Sequence, residues 1–477
     1  MRENGQLFGL VKQISHFQET KDMLSLNKFR HFARFYLLVL LVGMVAGLGA
    51  IVFRQLIAFF HNLLFYGVFS LDYDVLQHAA ASTWGMGIIF VPVIGAILVA
   101  FLIKNYAPEA KGHGVPEAMD AIYYEHGIIR PVVALIKSIA SSITIGSGGS
   151  VGREGPIIQI GAAFGSSIAQ WMNVPKWERI TLIACGAGGG IAATFNAPVG
   201  GVLFALEIML PELSPRSIIP VTLATAVATY ISYIKFGTGA FIPLNTTAVS
   251  QIFVPEILSY IVLSLFLGLL SAIFIRSIYF SEDTFDNLRG GYYLRHMTGM
   301  FLVGISMYLM MRYTGHYYIQ GVGYATILDI LTGMMTHPAF LLLLALLKLI
   351  DTAITLGSGG SGGIFSPLMF IGACLGACFA LLCQSLFPGQ IDISIQFGAL
   401  AGIAGMVGAS TGAPLTAIIM TSELTNDYTT LLPLMLIVTI SSGIRRAIMK
   451  DSVYTLKLTR RGHRIPDRLK NMNASSR

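Results

Sequence analysis

The sequence predicts an all-α integral membrane protein made of two inverted-topology repeats of short, broken, tilted transmembrane helices. Three observations carry that reading. Of 477 residues, 54% are hydrophobic and 12% are charged, about half the ~25% charge content of an ordinary soluble domain. The apolar residues gather in runs that begin at Phe35 and recur to Ile448, and Gly and Pro cut many of them short of the ~20 residues that a straight spanning helix needs. Glycine-rich stretches also recur in the same order in the two halves of the chain.

Residues 1–34 form a polar segment in which Leu7, Leu10, Val11, Ile14 and Phe17 recur at helical spacing. That stripe suits an amphipathic helix lying in the membrane interface, or one packing against other protein. No short apolar run there ends in a small-residue cleavage site, so a cleaved leader is not expected. Residues 35–235 read as the first membrane repeat, 236–251 (FGTGAFIPLNTTAVSQ) as a polar connecting loop, 252–448 as the second repeat and 449–477 as a basic tail.

Residues 1–34 carry a net +3 and residues 445–477 a net +8 of a total of +7, so the 410 residues between them sum to −4. Arg445, Arg446, Lys450, Lys457, Arg460 and Arg461 sit at or beyond the end of the last apolar run. The positive-inside rule puts such flanks in the cytoplasm, so both termini are read as cytoplasmic in a multi-pass protein of the inner or plasma membrane. Basic residues placed there imply the lipid bilayer as partner and argue against nucleic acid. Cys185, Cys374, Cys378 and Cys383 all lie in apolar runs with no histidine to complete a metal set, and read as small buried hydrophobes.

Self-comparison gives the repeat. ITIGSGGSVGREGP (143–156) and ITLGSGGSGGIFSP (354–367) align without a gap at an offset of 211. NAPVGGVLFALE (196–207) matches GAPLTAIIMTSE (412–423) at an offset of 216, each with an Ala-Pro and a glutamate nine residues after the proline. A weaker echo pairs Gly112-His113-Gly114 with Gly321-Val322-Gly323. Because isoleucine, proline and glutamate positions match as well as glycine, low complexity does not explain the pattern, and related halves are a common architecture in membrane proteins.

The same loops carry the chemistry. The first N–H groups of a helix lack an internal acceptor and carry its positive dipole end, so a glycine-rich loop opening a helix is an anion site. GSGGSG (357–362) fits the dinucleotide pattern formally, but it has no βαβ context, and neither loop closes with Gly-Lys-Ser/Thr as a phosphate loop does. What remains is a dehydrated monovalent anion held by backbone N–H groups of broken helices. Glu154 is the sharpest single residue. A carboxylate at membrane depth is costly and functional by default. Following the loop, it is a tethered competitor for the anion, which protonation would remove, and so both gate and proton acceptor. An ion pair with Arg153 is the structural alternative.

KGHGVPE (111–117), GREGP (152–156) and GGIFSP (362–367), in that order and inside the two halves, resemble the CLC family of chloride channels and chloride/proton exchangers. The resemblance implies an anion path in which Glu154 is the external gating glutamate and the backbones of Gly363, Ile364 and Phe365 face the central anion. Gly114, with His113, belongs to the motif that faces the anion from the first half. Tyr454 resembles the tyrosine whose hydroxyl closes the site from the cytoplasm, with a surface-anchoring tyrosine as its alternative. Lys137 matches a buried family lysine or serves structural charge pairing. The resemblance also implies a homodimer with one pathway per subunit, chloride and protons as transported species, and no cofactor or metal. With only 27 residues after Lys450, a prokaryotic-type form without paired cytoplasmic regulatory domains is expected.

Two departures matter. His113 stands where the family has serine; it either donates N–H to the anion or turns away and leaves backbone contacts, which puts chloride against nitrate preference in question. Ile208 stands where exchangers carry the glutamate that relays protons from the cytoplasm, so Glu207 or water becomes the expected proton path. Glu423 repeats Glu207 in the other half, which gives a symmetric structural role as the alternative. The reading taken is chloride/proton antiport gated by Glu154, with a passive anion channel as alternative. An integral-membrane enzyme using Glu154, Glu207 or Asp351 lacks converging polar side chains, and a receptor gives no reason for duplicated helix starts, so the chain is read as a non-enzyme.

Overall fold

The computed structural model describes residues 3–211, 214–242, 254–391 and 393–465, with side chains from residue 29 onward. The amphipathic stripe of 1–34, most of the 236–251 connection and the last dozen residues therefore lie outside the described side chains or outside the described residues. Among the described residues the structure is helical, with no strand beyond two isolated bridges.

The first half comprises α1 (Glu3–Tyr66), α2 (Val91–Asn105), α3 (Val115–Tyr123), α4 (Val132–Gly146), α5 (Glu154–Trp171), α6 (Lys176–Phe195), α7 (Pro198–Phe204) and α8 (Pro215–Phe236). The second comprises α9 (Val254–Asn287), α10 (Tyr292–Thr314), α11 (Tyr324–Leu331), α12 (Pro338–Gly357), α13 (Phe365–Leu386), α14 (Ile395–Thr411), α15 (Pro414–Thr425) and α16 (Leu431–Ile448), followed by α17 (Val453–Arg460). Each of the first eight has its counterpart eight elements later. Packing repeats likewise: α1 lies against α4, α6 and α8, and α9 lies against α12, α14 and α16.

Seven helices among the described residues are long and apolar enough to cross a bilayer, from Phe29–Tyr66 to Leu431–Arg460. Others are short because their sequence stops them. Asn196 in the left-handed region ends α6, Ala197 leaves the helical region and Pro198 opens α7; Gly412, Ala413 and Pro414 do the same between α14 and α15. Close helix contacts use glycine: a Cβ at Gly161 of α5 would run into the Gly186 carbonyl of α6, as one at Gly372 of α13 would into that of Gly402 of α14. All four cysteines are buried and unbridged.

The relation between halves is visible in single bonds. Gly152 and Gly363, equivalent at the 211-residue offset, form an antiparallel bridge in which each N–H donates to the other's carbonyl, at 2.7 and 2.6 Å. Equivalent residues pairing antiparallel sit on a local two-fold axis. Lys137 Nζ donates to the carbonyls of Ala110 (3.0 Å) and Gly112 (2.7 Å), and Lys348 Nζ to those of Ile319 (3.0 Å) and Gly321 (2.7 Å). The two buried lysines thus pin the two echo loops in the same way.

Candidate functional site

Four loop segments meet around that axis. Gly112 donates to the Gly360 carbonyl (3.0 Å) and accepts from Gly362 (3.2 Å), which joins the first echo loop to the second repeat loop. Ser150 Oγ reaches the Ile319 carbonyl (3.2 Å), and Ser361 Oγ reaches that of Ala110 (2.7 Å), the symmetric contact. A Cβ on Gly155 would come 3.0 Å from the Gly363 Cα and closer still to the His113 carbonyl oxygen, so the starts of α5 and α13 approach this nearly only because residue 155 is glycine.

Glu154 is the first residue of α5 and is fully buried. One carboxylate oxygen accepts from the Tyr324 hydroxyl and from Ser366 Oγ (2.5 Å), and the other from the Ser366 backbone N–H (3.3 Å). The carboxylate of the first repeat's helix start therefore rests on the helix start of the second. It takes one of the amides that α13 offers an anion. Phe195, Phe241 and Phe365 form an aromatic cluster with Tyr324: Phe241 meets the Tyr324 ring edge-on at 5.0 Å, and Phe195 lies 5.6 Å from both Phe241 and Phe365.

Arg153 forms no ion pair with Glu154 among the described residues. Its guanidinium donates to the Thr194 carbonyl (3.3 Å) and lies over the rings of Phe241 (5.1 Å) and Tyr324 (5.3 Å). Arg54 joins it in lining two small cavities beside the Glu154 side of the site.

Ile364 caps α13 and Phe365 opens it; both are buried, and their N–H groups have no protein acceptor among the described residues. Gly363, the third backbone that the resemblance names, spends its N–H on the Gly152 carbonyl and so holds the two loops together. Gly114, at φ +83°, caps α3 and accepts from the Ala118 N–H, so it shapes the loop carrying His113.

His113 is buried with Nδ1 lacking a partner among the described residues, and its ring lies 5.8 Å from that of Tyr454. Tyr454 sits in the first turn of α17, fixed by a reciprocal cap in which Ser452 Oγ accepts from the Tyr454 and Thr455 N–H groups, both at 3.3 Å, while Ser452 N–H donates to Thr455 Oγ1 (2.9 Å). Tyr454 is buried inside the protein, not placed at its surface. Beyond these rings opens a vestibule of about 490 Å³ lined by Lys111, Glu117, Glu282, Lys457, Arg460 and Arg461. Ion pairs clamp α17 across it: Lys457 with Glu282, Arg460 with Asp283, and Arg461 with Glu117 at 2.5 and 2.9 Å. The Glu117 carboxylate raises Arg461 above its ordinary value, keeping that cation charged.

Ile208 is buried in a single π turn, Ala205–Met209, and the Glu207 beside it places both carboxylate oxygens on the first amides of α15. Tyr324 and Ser366 were not among the sequence-derived site residues. Ser366 lay inside the motif, opposite Gly155 at the 211 offset, but its hydroxyl carried no signal without Glu154 beside it. Tyr324 follows the third echo directly, where the first half has Val115, and only the fold brings it to Glu154.

Fold and site together define a membrane protein with two facing helix starts, open amides on one and a carboxylate from the other. Residues 95–446 match the voltage gated chloride channel family, and the chain belongs to it. It is 32% identical to the H(+)/Cl(-) exchange transporter ClcA of Vibrio parahaemolyticus over 359 residues, covering 73% of this chain and 74% of that one. It is 29% identical over 425 residues to a putative chloride channel protein, ClcB-like, of Ralstonia nicotianae, covering 88% and 95%. A solved slow cyanobacterial Cl-/H+ antiporter shares the fold with a TM-score of 0.76 at 24% identity, over 90% of this chain and 97% of that one.

Proposed function

We propose that the protein moves chloride or a similar monovalent anion across the membrane by exchange with protons, with Glu154 as gate and proton acceptor. The observation that carries this is the Glu154 carboxylate seated on the Ser366 N–H at the start of α13. A negative group tethered there excludes a free anion from the same donors; protonated, it no longer competes. Next to it, the open amides of Ile364 and Phe365 form the anion's resting place, with His113 and Tyr454 toward the vestibule. The exchange transporters among the relatives support proton coupling.

Ile208 favours the second reading, passive conduction, because a buried apolar residue carries no proton. On the exchange reading, protons arrive by water from the side of Glu207. The clamped, basic α17 and the charge of the tails support cytoplasmic termini, and the family resemblance supports a homodimer with one pathway per subunit.

The test is chloride efflux from proteoliposomes. Glu154→Gln keeps the shape and removes the charge, so flux persists, loses its pH dependence, and carries no protons. Flux that still rises steeply with acid in that variant assigns the sensor to another group.

A further inference from the structure

Tyr324 and Ser366 do more than line the path. Each hydroxyl has a single hydrogen. Both donate to the same Glu154 oxygen, and their own oxygens lie 2.7 Å apart. With both hydrogens on the carboxylate, none is left for the contact between the hydroxyls. When the carboxylate withdraws, one hydroxyl can turn and donate to the other across a distance that already suits a hydrogen bond. The pair therefore keeps one hydrogen bond within itself when Glu154 leaves and frees one O–H for water or the incoming anion.

Tyr324 is held still for this role. It is the first residue of α11 and fully buried, with Phe241 at its ring edge and the Arg153 guanidinium over its face. The turn before it is pinned by Lys348 through the Gly321 carbonyl. The titratable and charged groups around Glu154 include Tyr324, Lys348 on α12 and Tyr454 on α17, with Arg153 stacked on Tyr324. Among these, Tyr324 alone donates to the carboxylate among the described residues.

We infer that Tyr324 is a positioning residue that latches Glu154 in the anion path, and that the gate opens as one of the two hydroxyl hydrogen bonds passes from Glu154 to the Tyr324–Ser366 pair and the other O–H is freed. The inference rests on reading Glu154 as the gate. Donors grip a carboxylate anion; a protonated carboxyl brings its own O–H into the cluster and loosens that grip. Acid therefore opens the latch, and a latch missing one donor opens at less acid pH.

The test compares the pH profile of chloride efflux from proteoliposomes for the wild type, Tyr324→Phe, Glu154→Gln and the double variant. Tyr324→Phe moves the midpoint of acid activation toward neutral pH by about one unit, a tenfold change in proton concentration. In the Glu154→Gln background the same change alters flux by less than about twofold, because a residue acting only through Glu154 has nothing left to hold. Ser366→Ala shifts the midpoint in the same direction and reads the latch independently should Tyr324→Phe fold poorly. A Tyr324→Phe profile that coincides with the wild type, or an equal loss of flux in both backgrounds, overturns the latch and leaves Glu154 as the gate. Acid activation that survives in Glu154→Gln overturns the gate itself.

Discussion

Glu207 and Glu423 cap each other's half of the protein. The Glu207 carboxylate accepts from the N–H groups of Leu415 (3.0 Å) and Thr416 (2.7 Å) and from the Thr416 hydroxyl (2.6 Å) at the start of α15. Glu423, near the end of α15, accepts from the N–H groups of Val199 (3.0 Å) and Gly200 (2.7 Å) at the start of α7. Each carboxylate supplies the acceptors that a helix start lacks and the charge its dipole favours.

Neutralising either glutamate therefore weakens the same kind of contact. Glu207→Gln and Glu423→Gln each lower stability by about 1–2 kcal/mol, the scale of a lost helix cap, read as reduced unfolding temperature in detergent. Coupling separates them. With Glu207 at the proton path, Glu207→Gln slows proton movement more than chloride movement, whereas Glu423→Gln slows both alike. Equal slowing in both variants reduces Glu207 to a cap.

Lys137 and Lys348 each donate to two carbonyls. Those of Ala110, Gly112 and Ile319 keep a second donor in Ser361, Gly362 and Ser150, so Lys137→Met and Lys348→Met each remove two hydrogen bonds at a net ~0.5–1.5 kcal/mol apiece and destabilise by roughly 1–3 kcal/mol. Thermal unfolding of the purified variants measures this. A change below about 0.5 kcal/mol in either would show that water or another donor replaces the lysine.

His113 tests selectivity. Its Nδ1 is buried without a protein partner beside Tyr454, yet the Ile364 and Phe365 amides supply donors on their own. His113→Ser is expected to change the nitrate to chloride permeability ratio by less than tenfold, which is about 1.4 kcal/mol of differential binding. A larger shift in paired efflux measurements makes the imidazole a principal anion ligand.

Bromide soaked into crystals should appear within hydrogen-bond reach of the Ile364 and Phe365 N–H groups. In Glu154→Gln a second position at the Ser366 N–H should fill as well. Anomalous peaks confined to Lys111, Lys457 or Arg461 would contradict a backbone-built site.

The glycine echoes made the two halves legible because backbone geometry imposes them: Gly112, Gly114, Gly321 and Gly323 all adopt positive φ, from +53° to +83°. Glu154 was legible for a different reason, since a carboxylate in an apolar run is improbable without a task. The fate of each amide was not. Whether the Gly363 N–H faces an anion or the Gly152 carbonyl depends on how two loops 211 residues apart meet, and a motif carries no such distance. Tyr324 was hidden by asymmetry. The repeat that reveals the fold pairs Glu154 with Phe365 and Tyr324 with Val115, so the residues of this carboxylate–hydroxyl cluster are those where the halves differ.

The most direct measurement is the reversal potential of the purified protein in a bilayer under combined chloride and pH gradients. With Glu154 taking up protons as the anion leaves its site, the potential is expected to shift when the pH gradient alone is varied, and a chloride gradient to drive protons uphill in sealed liposomes. A reversal potential that stays at the chloride equilibrium value across every pH gradient would contradict exchange and establish a passive channel.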